Sequence, residues 1–223
     1  IGLCAMAHGW ESYIAYGRWS NPSQSHLIKI GNRLDMYLHY AEQRIMDNEG
    51  LNSRCATKRL IHTIESIKPD IVQLHNIHDH YLNYRLLFEY LNMTNTQVVW
   101  TFHDCWAFTG HCFHFVTKNC ERWKTGCRDC PLKDEYPKTW TDRSKKNYYL
   151  KKHLFGECKN LTIVSCSEWM DTFVKSSFLK EKEMTIIKNG VDLTTFKPYF
   201  TKISNTNRRF RILAVSSVWS PDK

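Results

Sequence analysis

The residues best suited to chemistry fall where short apolar runs end. His75 and Asn76 follow Asp70–Leu74, and His103 and Asp104 follow Gln97–Phe102. Ser165 and Ser167 flank the end of Leu161–Cys166, while Asn189 and Gly190 follow Met184–Ile187. An imidazole titrates near neutrality, so His103 can accept a proton, donate one, or hydrogen-bond a hydroxyl. Asp104 is its neighbour in sequence. Successive strand side chains leave on opposite faces, however, so adjacency alone makes a weak dyad. His75, His78 and His80 raise a metal reading, but they lack the i, i+4 pairing of a helical zinc site. A loop with one or two ligand-contacting histidines is the better reading.

Thiol chemistry is the second candidate. Cys112, Cys120, Cys127 and Cys130 are packed together as C-x7-C-x6-C-x2-C, whereas the other five of the nine cysteines are scattered. The close pair Cys127 and Cys130 is half of a tetrahedral thiolate zinc site, which Cys112 and Cys120 would complete. Two disulfides, or four free thiols, are the alternatives. A zinc held by four thiolates would be structural, because no position is left for a catalytic water.

Charge concentrates in the same stretch. The chain of 223 residues carries a net charge of +9. From Lys118 to Lys152, eleven Lys or Arg face five Asp or Glu, a net of +6. Trp123, Trp140, Tyr136, Tyr148 and Tyr149 are interleaved there. A solvated face is the ordinary explanation. Anionic lipid headgroups or a diphosphate fit the same chemistry, and nucleic acid is the less favoured partner. Apolar residues at 42% exclude a disordered or collagenous chain. No run of about 18 apolar residues is present to span a membrane as a helix.

To bring those groups to one place, strands and helices must alternate. Leu60, Ile61, Ile64 and Ile67 repeat at helical spacing behind a cap candidate, Ser53, and Pro69 stops them. Helices are also expected over Leu82–Leu91 and Glu168–Ser177, the latter capped by Ser167, with a basic surface helix over Ser144–Phe155. Strands are expected at Asp70–Leu74, Gln97–Phe102, Leu161–Cys166, Met184–Ile187 and Arg211–Val215, with another at Ser12–Tyr16 behind a helix ending near Gly9. Such alternation implies a Rossmann-like parallel α/β sheet with helices on both faces and a cysteine-rich insertion over about 104–141. Ligands then bind at the carboxyl ends of the strands, where His75, His103, Ser167 and Asn189 stand. The polar stretch from Asn189 to Arg211, with Pro198, reads as a linker. It divides a domain of residues 1–205 from the opening of another at 206–223.

Particular segments resemble the family 4 glycosyltransferases. Lys188-Asn-Gly-Val-Asp-Leu-Thr-Thr-Phe-Lys-Pro198 is similar to the segment before their interdomain linker, and Arg211–Lys223 to the first strand and loop of their second domain. Asp70-Ile-Val-Gln-Leu-His-Asn-Ile-His78 and Ser165-Cys-Ser167 resemble two strand-end patterns of the family. Thr101-Phe-His-Asp-Cys-Trp-Ala-Phe-Thr-Gly-His-Cys112, with the later cysteines and Tyr136-Pro137, resembles a bacterial capsular or exopolysaccharide branch of colanic acid type.

The resemblance implies the N-terminal, acceptor-side half of a GT-B fold. The implied reaction moves a sugar from a nucleotide-sugar to a glycan or lipid-linked glycan hydroxyl, with retention and without a metal for chemistry. His103 and Asp104 take the catalytic positions. His75, Asn76, Ser167, Asn189 and Gly190 line the acceptor cleft, and Lys223 contacts the donor diphosphate. Val218 stands where the family usually has an arginine. The paired glutamates and the glycine-rich loop of the family fall beyond residues 223 and 1, so a truncated chain with little activity alone is expected. A cytoplasmic protein, peripheral at the inner face of the membrane, follows from the same resemblance.

Overall fold

The computed structural model describes residues 1–197; the expected strand Arg211–Val215, with Val218 and Lys223, lies outside them. In chain order the elements are α1 (Gly2–Ala7), β1 (Tyr13–Tyr16), β2 (His26–Lys29), α2 (Arg33–Met46), α3 (Arg54–Ile67), β3 (Ile71–Leu74) and α4 (Tyr84–Leu91). There follow β4 (Gln97–Phe102), α5 (Arg122–Thr125), α6 (Ser144–Glu157), β5 (Leu161–Ser165), α7 (Glu168–Lys175) and β6 (Glu183–Ile186). The chain divides between Lys188 and Asn189 into two units. In the second, Asp192 closes a turn by accepting from the hydroxyls of Thr194 and Thr195, each at 2.7 Å.

Every strand pairing is parallel. β3, β4, β5 and β6 form one sheet in that order, and β1 pairs with β2 in another. Strand order that follows chain order, with a helix between neighbours, is the product of successive βαβ units. Val98, Trp100 and Phe102 of β4 and Leu161, Ile163 and Val164 of β5 are buried, with almost no exposed position between them. Central strands of a parallel sheet show this pattern because both faces are covered. The expected parallel α/β architecture is therefore the observed one. β2 and α2 are additions to it, and among the described residues no helix is long and apolar enough to cross a membrane.

Caps set the helix starts. Asn32, Asn83 and Ser167 accept from the amides of Asp35, Leu86 and Met170 at 2.9, 3.0 and 3.1 Å. Ser53 does stand at the start of α3, but it caps nothing. It has a φ of +54°, and its hydroxyl meets His39 Nδ1 at 2.9 Å. His39 Nε2 accepts from the Gly50 and Asn52 amides. Burial holds that imidazole down to about 3, with the charge of His80 adding to the effect. His39 is thus a neutral structural ring.

Two expectations about the basic region need correction. Ser144–Glu157 is a basic helix with Lys145, Lys146 and Lys152 exposed as expected, but its opposite face is not solvated. Ser144, Asn147, Tyr148, Lys151, Leu154 and Phe155 are buried at i, i+3, i+4, i+7 spacing, so one face of α6 is core. Half of that face is polar, which disguises it. The insertion is core as well. Phe115 stacks on Trp123 at 4.8 Å and meets Phe173 of α7 edge-on at 5.1 Å. At Gly110 the insertion touches α6 so closely that a Cβ would lie 2.1 Å from the Ser144 carbonyl oxygen.

Phe155 joins α6 to the sheet and α4, with ring centroids 4.4 Å from Phe88 and 4.9 Å from Trp100. Phe155→Ala should lower stability by roughly 3–5 kcal/mol through the cavity left behind. The expected readout is a lower urea midpoint with an unchanged slope; an unshifted midpoint would mean that α6 does not anchor the domain.

Candidate functional site

The β3–β4 register brings the strand ends together. Leu74 pairs with Trp100, so the residues after β3 lie beside the last residues of β4. His75 Nδ1 stands 3.0 Å from His103 Nε2, with the rings stacked 5.3 Å apart. One nitrogen of the pair must donate and the other accept, so one hydrogen sits between them. Burial holds the His75 imidazole below its usual value, and the charge of His103 pushes the same way. His103 is exposed at the sheet edge. A hydroxyl arriving there finds a group able to accept or return a proton.

Asp104 leaves in another direction, as its place one residue further on requires. Its partner is His78, whose Nε2 lies 2.9 Å from Oδ2. The other oxygen accepts from the Trp106 amide at 2.8 Å. Burial pushes the Asp104 carboxyl up. The His78 hydrogen bond and charge, the Trp106 amide and the His114 charge outweigh burial and hold it below the usual range. His78 is seated against Phe113 and Trp106 with centroids 4.5 and 5.3 Å away. Two imidazole pairings therefore meet the β4 end, His75–His103 and His78–Asp104. His78 is the site neighbour that the sequence reading set aside.

The remaining candidates scatter. Asn76 is exposed, and its carbonyl accepts from the Tyr81 hydroxyl at 2.9 Å. Ser167 is engaged in capping α7, and the Ser165 hydroxyl is buried without a partner. Asn189 and Gly190 fall in the second unit, and Lys223 lies outside the described residues. His80 turns inward, buried edge-on to His39. Cys112, Cys120, Cys127 and Cys130 are free thiols lining one small pocket. Among the described residues, no three His, Cys, Asp or Glu side chains stand ready as a metal-holding group.

Beneath the edge lies a buried polar layer with no motif to announce it. Lys151 Nζ donates to the carbonyls of Trp106 and Thr109 at 2.7 and 3.1 Å. It also stands 3.4 Å from the centre of the Trp106 ring. Burial draws this ammonium down to about 7, opposed chiefly by the charge of Glu49. Glu49 is buried with neither oxygen paired. Burial pushes it up against the charges of His78, His80, Lys151 and His111.

A parallel α/β domain with imidazoles and a carboxylate at the carboxyl edge of its sheet is of the Rossmann-like class, whose open sheets take ligands at that edge. The family model described as Glycosyltransferase Family 4 matches residues 4–195. The chain belongs to that family. It is 29% identical over 206 residues to the "Putative colanic acid biosynthesis glycosyl transferase WcaC" of Escherichia coli (strain K12). That match covers 86% of this chain and 49% of the relative, so the chain spans about half the relative's length. No solved structure matches.

Because Asp104 titrates below its ordinary value in the fold, its ionised form adds stability above the unfolded-chain value of about 3.9. The contribution fades as pH falls through the folded value. Asp104→Asn should therefore be less stable than the wild type at neutral pH, with the gap narrowing in acid. Urea unfolding at the two conditions measures it, and a pH-independent gap would contradict the His78–Asp104 pairing.

Proposed function

We propose that this chain forms the acceptor-side domain of a glycosyltransferase of polysaccharide biosynthesis. The substrates would be a nucleotide-sugar donor and a glycan or lipid-linked glycan acceptor, and the transfer would retain anomeric configuration. The observation that carries the reading is the His75–His103 pair at the carboxyl edge of the sheet, in a chain of this family. The likeness to a colanic acid transferase supports the polysaccharide class.

The reaction breaks the bond between the anomeric carbon and a phosphate oxygen, and forms one from that carbon to the acceptor oxygen. The nucleoside diphosphate leaves and takes up the proton that the acceptor hydroxyl loses. His103, exposed at the edge, is the group placed to hydrogen-bond the reacting sugar. His75 orients the ring through its nitrogen and supplies or withdraws the shared hydrogen. The His78–Asp104 pair fixes the loop just after His103. Lys223 is assigned to the donor diphosphate from the family pattern, as a fixed point charge. No metal enters the chemistry of this scheme.

A lipid-linked acceptor would be met at an anionic membrane surface on the cytoplasmic side. α2 presents Leu34, Tyr37, Leu38 and Ile45 outward at helical spacing, all exposed. The insertion joins this face: the Trp140 amide donates to the Arg44 carbonyl at 2.9 Å, and the Trp140 ring is exposed beneath the Arg44 guanidinium. Exposed Lys145 and Lys146 open α6. An apolar helix face rimmed by tryptophan and basic residues suits a headgroup layer.

Two measurements test these readings. In the complete enzyme, His103→Ala should lower kcat/KM for sugar transfer by roughly 10²–10⁴-fold while leaving the unfolding midpoint unchanged. Wild-type transfer rates in that variant would remove His103 from the chemistry. Separately, the protein should co-sediment with phosphatidylglycerol vesicles more than with phosphatidylcholine vesicles, and binding should weaken with salt. Trp140→Ala should reduce it. Equal binding to both lipids would sink the membrane reading and leave the transferase reading intact.

A further inference from the structure

One cluster of ligating side chains takes no part in the transfer scheme. Cys112, Cys120 and the Cys127–Cys130 turn are spread along the insertion, yet all four cysteines line one small pocket together with His111. We propose that this pocket binds a tetrahedral divalent ion of the zinc class, with four ligands drawn from those thiolates and His111 Nε2. With its shell closed by protein, the ion would be structural.

His111 gives the second, independent indication. It is buried, and its Nδ1 lies 2.6 Å from Asp47 Oδ1. A carboxylate there holds the proton on Nδ1 and leaves Nε2 a lone pair. That Nε2 is buried without any partner. Buried ring nitrogens are normally satisfied, and an orphan beside four thiols asks for a cation. A carboxylate bonded to the far nitrogen is also the usual outer partner of a metal-bound imidazole.

The backbone supplies one of the four sulfurs with a hydrogen-bond donor. Burial pushes the Cys127 and Cys130 thiols up, to about 11 and about 12, and the Gly110 amide, donating to Cys127 Sγ at 3.2 Å, opposes it at the first. Such an N–H···S bond favours the charged sulfur. Between the two cysteines, Asp129 takes a φ of +45°, and the Arg122 guanidinium holds the carbonyls of Arg128 and Asp129. The Cys-Arg-Asp-Cys turn is thereby fixed with both sulfurs toward one pocket. The side chains do not yet form a closed group of three or more. Closure is left to χ1 rotations among staggered wells.

Binding would replace ligand protons with the ion: each ligating thiol loses one proton to solvent as its sulfur bonds the metal. Protein refolded with zinc and dialysed free of loose metal should carry about one zinc per chain by elemental analysis. Cobalt(II) in its place should give the thiolate charge-transfer absorption and strong visible bands of a tetrahedral site. Cys127→Ser and Cys130→Ser should lose both signals, while Cys55→Ser, at an exposed position of α3, should keep them. If the first two variants fail to fold, thiol counting on the wild type decides. All nine cysteines should react in denaturant with chelator, and the number reacting in the native metal-loaded protein should rise when chelator removes the metal, since burial alone already protects Cys105 and Cys158. Folded protein that stays metal-free after zinc loading overturns the proposal. So does a count showing two disulfides.

Discussion

Asp47 is the residue on which the arrangement of this domain turns. It ends α2 in the left-handed region, at a φ of +50°, and is 2% exposed. One carboxylate oxygen meets His111 of the insertion, and the other accepts from the Arg143 amide at 2.7 Å, just before α6. Its carbonyl accepts from Asn147 of α6 at 2.6 Å. An unpaired carboxylate in such a place would cost several kcal/mol or take up a proton. Paired on every side, it admits one mutual placement of α2, insertion and α6. That placement puts Lys151 under the Trp106 carbonyl, and the Trp106 amide in turn holds Asp104.

The chemical edge of the sheet thus rests on the insertion rather than being decorated by it. β4 ends in two adjacent residues that serve different partners. His103 faces His75 across the strand gap, and Asp104 bonds His78 and the first turn of the insertion. The same Trp106 that packs under Lys151 also walls in His78. Core and site share atoms, so a change in the basic segment reaches the strand ends through two or three contacts.

Much of this was readable in the residues. The strands of the four-stranded sheet are short apolar runs bounded by turn residues, and the cap at Ser167 carries an ordinary signal. α2 was hidden because Leu34, Tyr37 and Leu38 face outward while His39 and Gln43 face inward, which inverts the usual pattern. β2 is four residues, His-Leu-Ile-Lys, too short for periodicity to register. α6 seemed a solvated helix because Lys151 and Asn147 occupy its buried face. The His103 and Asp104 positions followed from topology, but their divergence into two pairs depends on the loop after β3. No spacing rule could have joined Asp47 to His111 and Arg143, since contacts between distant buried polar groups leave no local pattern.

The facing imidazoles of His75 and His103 have a consequence of their own. A single hydrogen between two rings gives two tautomeric states, and exchanging them reverses donor and acceptor at the outer nitrogen of each ring as well. A hydroxyl that accepts from one outer nitrogen thereby commits the other ring to accept. Protonating both rings would set two cations face to face, which the burial of His75 and the charge of His103 disfavour. The pair behaves as one two-position element. The position it holds follows the polarity of the group bonded to an outer nitrogen.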